Sequence, residues 1–252
     1  MINNRILKVS LRFNWLLILV LFCNNSYSSE KPDSLKPKLN AGVTFSLNSN
    51  GIASIPAFSL GKPAMMASTY FIKGRFSYEP LLAYSLDGKP WFIDNWFHYK
   101  PIVRPKYELR VGFNLSTFGS EYELPEGAII KAERYFAFEL TQTYKFSSRS
   151  LLSLAYWNDQ GKEPGTISGH FVSLTGERSD IRIGKNVLLA ANVMLFYINY
   201  TGKSDGLFVS PKISSYVRNF PVTIFFQATQ TIQTNIEPYP EFRWNLGISY
   251  TL

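Results

Sequence analysis

His98 and His170 are the only imidazoles in this 252-residue chain, and they bound the nucleophilic or acid–base chemistry open to it. Nucleophilic catalysis needs a hydroxyl or thiol in hydrogen-bond contact with a base, and a third group to orient that base. His98 shares a strand face with Asp94, four residues away, which supplies an orienting carboxylate in principle. His170 has Ser173 nearby, but alternation puts that pair on opposite faces. No nucleophile motif surrounds either histidine, and the setting of His98 among Trp96, Phe97 and Tyr99 equally fits interfacial packing. No metal-ligand spacing is present, and Cys23 is the only cysteine, so neither a thiolate site nor a disulfide is expected. These residues predict no catalytic site, cofactor or metal.

A second set does a different job. Glu79, Asp94, His98, Glu108, Arg110, Glu133, Glu139, Lys212, Glu241 and Arg243 fall on the polar side of segments that alternate with period two. Charges gathered on one side of a sheet, in a partly dry interior, must pair or contact water.

The segments that position them are legible from residue 39 onward. The clearest is 107–116, with Tyr107, Leu109, Val111, Phe113 and Leu115 against Glu108, Arg110, Gly112 and Asn114. Residues 132–144 set Phe136, Phe138 and Leu140 against Glu133, Ala137, Glu139 and Thr141. Further strands are predicted at 39–48, 63–73, 76–85, 91–100, 150–158, 168–177, 187–200, 207–217, 222–231 and 242–252, twelve in all. The segment 187–200 is apolar on both faces, and its register cannot be read. Turn chemistry at Gly74 and at Asp87–Gly88 punctuates the series. Pro80 and Pro211 fall inside proposed strands, and each predicts a bulge or a break because proline removes a ladder hydrogen bond.

The N-terminal end has its own pattern. Arg5, Lys8 and Arg12 precede an apolar run from Trp15 to Phe22 and a small polar stretch ending at Ser28. This predicts a cleaved export signal at 1–28, then a polar, proline-bearing leader at 29–38 and one domain at 39–252. Removing the three basic residues lowers the net charge from +8 to +5, too mild and too dispersed for a nucleic-acid partner.

The closing segment carries Phe242, Trp244, Leu246, Ile248, Tyr250 and Leu252 on one face, and Arg243, Asn245, Gly247, Ser249 and Thr251 on the other. Aromatic side chains such as Tyr84, Trp91, Tyr99, Tyr107, Tyr144, Tyr156, Tyr200 and Tyr250 gather near strand ends, the headgroup level of a membrane barrel. With the export signal and strand lengths near ten residues, the chain resembles a bacterial outer-membrane β-barrel. That resemblance covers the whole domain and rests on patterns alone. It implies an all-β, antiparallel up-and-down transmembrane barrel in the outer membrane of a Gram-negative bacterium, with both termini periplasmic. It also implies outer-membrane lipids as partners, and a barrel-assembly machinery that recognises the terminal strand. Members of that class usually end in phenylalanine, whereas this chain ends in Leu252.

On this reading the connections are polarised. The expected periplasmic turns hold eleven basic residues against Glu177 and Asp180, while the outer loops hold five lysines against eight acids, Asp159 among them. A basic inner rim suits anionic headgroups or an acidic partner from the outer membrane or periplasm. Three functions follow: a small channel for polar solutes; a plugged barrel held in a larger envelope assembly; and a lipid-modifying enzyme using His98 with Asp94.

Overall fold

A computed structural model of the chain describes residues 37–53, 58–125, 127–237 and 241–252. The expected signal peptide and most of the leader lie outside the described residues. Twelve strands follow one another: β1 (Asn40–Asn48), β2 (Ala64–Lys73), β3 (Phe76–Ser85), β4 (Pro90–Val103), β5 (Tyr107–Leu124), β6 (Gly127–Ser147), β7 (Ser150–Gly161), β8 (Ser168–Arg182), β9 (Val187–Tyr200), β10 (Ser204–Val217), β11 (Val222–Thr234) and β12 (Phe242–Thr251). Each pairs antiparallel with its neighbours in sequence, and β1 pairs with β12, so the sheet closes with no free edge. This is an up-and-down antiparallel barrel of outer-membrane type.

Pairing fixes which side every residue faces. Leu47 lies opposite Met65 and Ile248, Phe45 opposite Ala67 and Tyr250, and this row of apolar side chains continues around the outside. The outer positions stay exposed although they are large and apolar, Phe138 at 53% and Leu246 at 50%. A water-soluble barrel would turn such side chains inward. Here the apolar stripe points out, and the other face of every strand encloses the lumen.

The start of β1 and the end of β12 meet at one end, where the Leu252 N–H donates to the Val43 carbonyl. Short turns join the strands at that end, among them Gly74. The longer connection at 49–63 and the β3–β4 turn lie at the other, the loop end. Gly88 in that turn has φ 85°, which a side chain would strain. β5 and β6 run for 18 and 21 residues against 9 in β1, so their hairpin projects past the loop-end rim.

Neither Pro80 nor Pro211 breaks its strand. A third proline, Pro101 of β4, does lie at a register shift, the one between Tyr99 and Ile102, and another shift falls between Leu207 and Phe208. Pro211 lies opposite Ala228, and the Ser210 hydroxyl donates to the Ala228 carbonyl at 2.8 Å, replacing the N–H that proline lacks. At Pro80 the carbonyl is taken by the Thr69 hydroxyl at 3.2 Å. At Pro211 a neighbouring hydroxyl therefore stands in for the missing donor, whereas at Pro80 the hydroxyl serves the proline's own carbonyl.

Candidate functional site: the barrel lumen

The register places nine of the ten expected inward residues on the lumen face. The exception is Glu241, which precedes β12 and is exposed at the loop end; it is not part of the wall. The nine do not form one cluster. Glu108 meets Lys100 at 3.0 Å and Lys145 at 3.6 Å toward the terminal end. Glu133 accepts from Tyr122 and Ser120 and pairs with Lys131 in the projecting hairpin. Lys212 sits on β10, six strands round the ring from β4, with its ammonium 4.4 Å from the Phe225 ring centre. Arg243 lies opposite Thr229 on the same side.

The remaining residues meet on β3 to β6. One row of directly opposed positions reads Ser77, His98, Gly112, Glu139 and Trp157. His98 is buried, with Nδ1 3.3 Å from Glu79 and Nε2 3.5 Å from Glu139. Arg110 holds Glu139 through Nε at 2.8 Å and through its terminal nitrogen at 2.7 Å, and Thr141 adds a third donor. Only glycine fits at 112: a Cβ there would lie 2.6 Å from the His98 ring. The imidazole lies flat against Trp96, their planes 7° apart.

This corrects the pairing expected from sequence. Asp94 does not orient His98; it accepts from the Ser116 hydroxyl and from the Asn114 amide. Ser77, the hydroxyl opposite His98, donates to Glu79 at 2.6 Å. His170 lies on the outer face, bonded through Nδ1 to the Tyr156 hydroxyl at 2.8 Å. Among the described residues, neither histidine is hydrogen-bonded to a serine.

Sequence reading missed the aromatic half of the lumen. From Trp96 an arc of rings crosses to Trp157 (centroids 5.3 Å apart), then Phe171 (4.9 Å), Phe196 (5.5 Å) and Phe208 (5.1 Å). Phe196, Ile198 and Met194 are among the inward residues of β9, so that strand is apolar on both faces over this stretch for two reasons: lipid-type exposure outside, ring packing inside. Phe58, from the 49–63 connection, enters the loop-end mouth and stacks on Phe118 at 4.2 Å. The Trp91 indole fastens it by donating to the Phe58 carbonyl at 2.7 Å. Asp159 was expected in an outer loop; it lies in β7, opposite Ala137, and faces inward. The shared parity of Ser153, Ala155 and Trp157 was the available signal, one residue short of it.

At the rim of the mouth Lys62 bridges Asp87 (3.2 Å) and Glu121 (2.9 Å), and Lys89 takes the second Glu121 oxygen at 2.7 Å. The Ser85 hydroxyl, with Lys62 and the Lys89 N–H, holds the Asp87 carboxyl down to about 2. Lys89 and Lys62 together lower Glu121.

What the lumen can do follows from these parts. It offers water-facing charge on two opposed walls, a continuous apolar track between them, and a mouth narrowed by one tethered ring.

Solved structures share this architecture. They include the KdgM porin in complex with disordered oligogalacturonate, at TM-score 0.55 and 9% identity over 83% of this chain and 98% of that one. The KdgM porin alone superposes at 0.53 with 10% identity over the same shares. A crystal structure of an outer membrane channel from Pseudomonas putida F1 superposes at 0.50 with 11% identity, over 89% of this chain and 99% of that one. No family model and no curated protein matches the sequence. At these identities the likeness is one of architecture, and the chain has the fold of the bacterial outer-membrane β-barrels.

Proposed function

We propose that the chain is a non-enzymatic channel that passes small polar solutes through the outer membrane of a Gram-negative bacterium, with the end where β1 begins and β12 finishes facing the periplasm. The observation that carries this reading is the inversion of faces: apolar side chains such as Leu246 and Phe138 outward, and Glu79, His98, Arg110 and Glu139 enclosed. Twelve strands stand between the eight that side chains fill and the sixteen that leave a wide pore, which suits a narrow, selective bore.

The KdgM porin was captured with an oligogalacturonate, a polyanion. This lumen is a poor match for one, since Glu79, Asp94, Glu139 and Asp159 line the β3–β7 wall. A neutral or cationic solute fits it better.

A second reading has one observation behind it. Rings of the β8–β10 arc pack closely, with Phe171, Phe196 and Phe208 almost wholly buried, as in a filled barrel. A filled barrel would serve as a subunit held by other envelope proteins, with its basic terminal rim toward an acidic partner or anionic headgroups.

Conductance of the purified, folded protein in a planar bilayer separates the two. Discrete single-channel steps are expected; a silent barrel that purifies with other proteins would favour the assembly.

A further inference from the structure

Between β4 and β7 the lumen keeps a cavity of about 260 Å³ whose lining combines Asp94, Asp159, Trp96, Trp157, Phe92 and Phe58. We infer that this cavity is a binding site for an organic ammonium, a cation carried on a small apolar body. The inference rests on the channel reading for its biological sense, but not for its chemistry.

The argument starts from charge. Among the described residues, cations pair with Glu108, Glu133 and Glu139 of the wall, and His98 stands beside Glu79. None pairs with Asp94 or Asp159. Two carboxylates set in a wall of rings, with hydroxyl and amide donors but no counter-charge, leave a place where positive charge is favoured.

The rings decide which cation. A metal ion needs several oxygen ligands and would forfeit its hydration against indole and phenyl faces. An ammonium with methyl or methylene groups loses little water there and gains from the negative ring faces, most from tryptophan. An anion is repelled, and a neutral solute gains only the stacking.

The wall is built to leave this room. Trp96 and Trp157 come from strands separated by β5 and β6, and the lining positions between them are Asn114 and Ala137. Larger side chains there would fill the space that the two indoles roof.

The test uses choline, which joins a trimethylammonium to a hydroxyl, and 3,3-dimethylbutan-1-ol, its uncharged carbon counterpart. Both are titrated into the folded full-length barrel in detergent micelles, with intrinsic tryptophan fluorescence as the readout. Choline is expected to bind at least about tenfold more tightly than the alcohol. In Asp94→Asn/Asp159→Asn that preference should vanish, and in Trp157→Phe the choline response should shrink. Equal binding of the two probes by the unaltered protein overturns the inference, as does a preference that survives the double substitution. The probe comparison on the unaltered chain decides the matter even where the double variant does not fold. Because micelle binding needs no conduction, a silent barrel that prefers choline removes the channel reading and leaves the site standing. A conducting barrel without that preference does the reverse.

Discussion

The indole rings of Trp96 and Trp157 lie 5.3 Å apart at their centroids and tilted by 46°, although β5 and β6 separate the strands that carry them. Side chains that meet across two intervening strands span a chord of the lumen and set its free width. Trp157→Ala is therefore expected to raise single-channel conductance on the order of 1.5-fold, because pore-lining bulk limits the bore. Trp244→Ala, on the outer face, should leave it unchanged. Equal effects from the two would remove the chord from the account of conduction.

How much of this was readable beforehand depends on what each face needed. An outward face in hydrocarbon tolerates only apolar side chains, so strands such as β5 and β12, with small or charged inner residues, show clean alternation. β9 does not, because Phe196 and Ile198 are apolar for an inner reason, packing on Phe171 and Phe208. The charged wall could be listed from parity, but not grouped: that His98 lies between Glu79 and Glu139 depends on registers joining four strands. The hydroxyl contacts beside the prolines were invisible for a related reason. Thr69 reaches Pro80 only once β2 and β3 are aligned.

The outward apolar stripe makes a direct prediction about stability. Leu246 sits mid-strand on the exposed face of β12, and Ser249 on the lumen face of the same strand. Leu246→Arg should cost about 2–4 kcal/mol in urea titrations of the lipid-embedded barrel, the penalty of a cation near the bilayer midplane. Ser249→Arg can extend its guanidinium into lumen water and should cost less than half as much. The opposite ranking would mean that the faces are assigned the wrong way round.

Arg110 pairs with Glu139 on the wall, the Glu139 side chain being 2% exposed. Taking away the cation leaves the buried carboxylate with only the Thr141 hydroxyl and the His98 imidazole beside it. Arg110→Ala is expected to cost about 3 kcal/mol, at the low end for a broken buried pair because the Arg110 side reaches lumen water. Adding Glu139→Gln should return a large part of that loss, a coupling that a double-mutant cycle measures directly. Strict additivity would show that the pair does not act as one.

The rim network sets a pH window. Asp87 and Glu121 both titrate below their ordinary values, so their contribution is complete above the unfolded values and fades as pH falls through the folded ones. The Leu60 amide, which donates to the Gly51 carbonyl in the tethered connection, reports on it. Its hydrogen-exchange protection, corrected for intrinsic rate, should hold from neutral pH to about 4.5 and decline only toward about 2. Lys62→Gln should lower that protection at neutral pH. Loss of protection already near pH 6 in the unaltered protein would point to a different titrating group.

The last test concerns the ladder at Pro211. Its ring gives Ala228 no N–H, and the Ser210 hydroxyl stands in at 2.8 Å while also accepting from Thr229 at 3.1 Å. If that hydroxyl replaces a backbone donor, Ser210→Ala leaves a buried carbonyl unsatisfied and should cost about 2 kcal/mol. Restoring the N–H by Pro211→Ala in the same chain should then recover about 1 kcal/mol, the rest being offset by the freer unfolded backbone. Pro211→Ala alone, with Ser210 in place, has no such gain available and should be neutral or slightly destabilising. A double variant no more stable than Ser210→Ala would show that the hydroxyl serves Thr229 and not the missing donor, and that β10 tolerates its proline by another route.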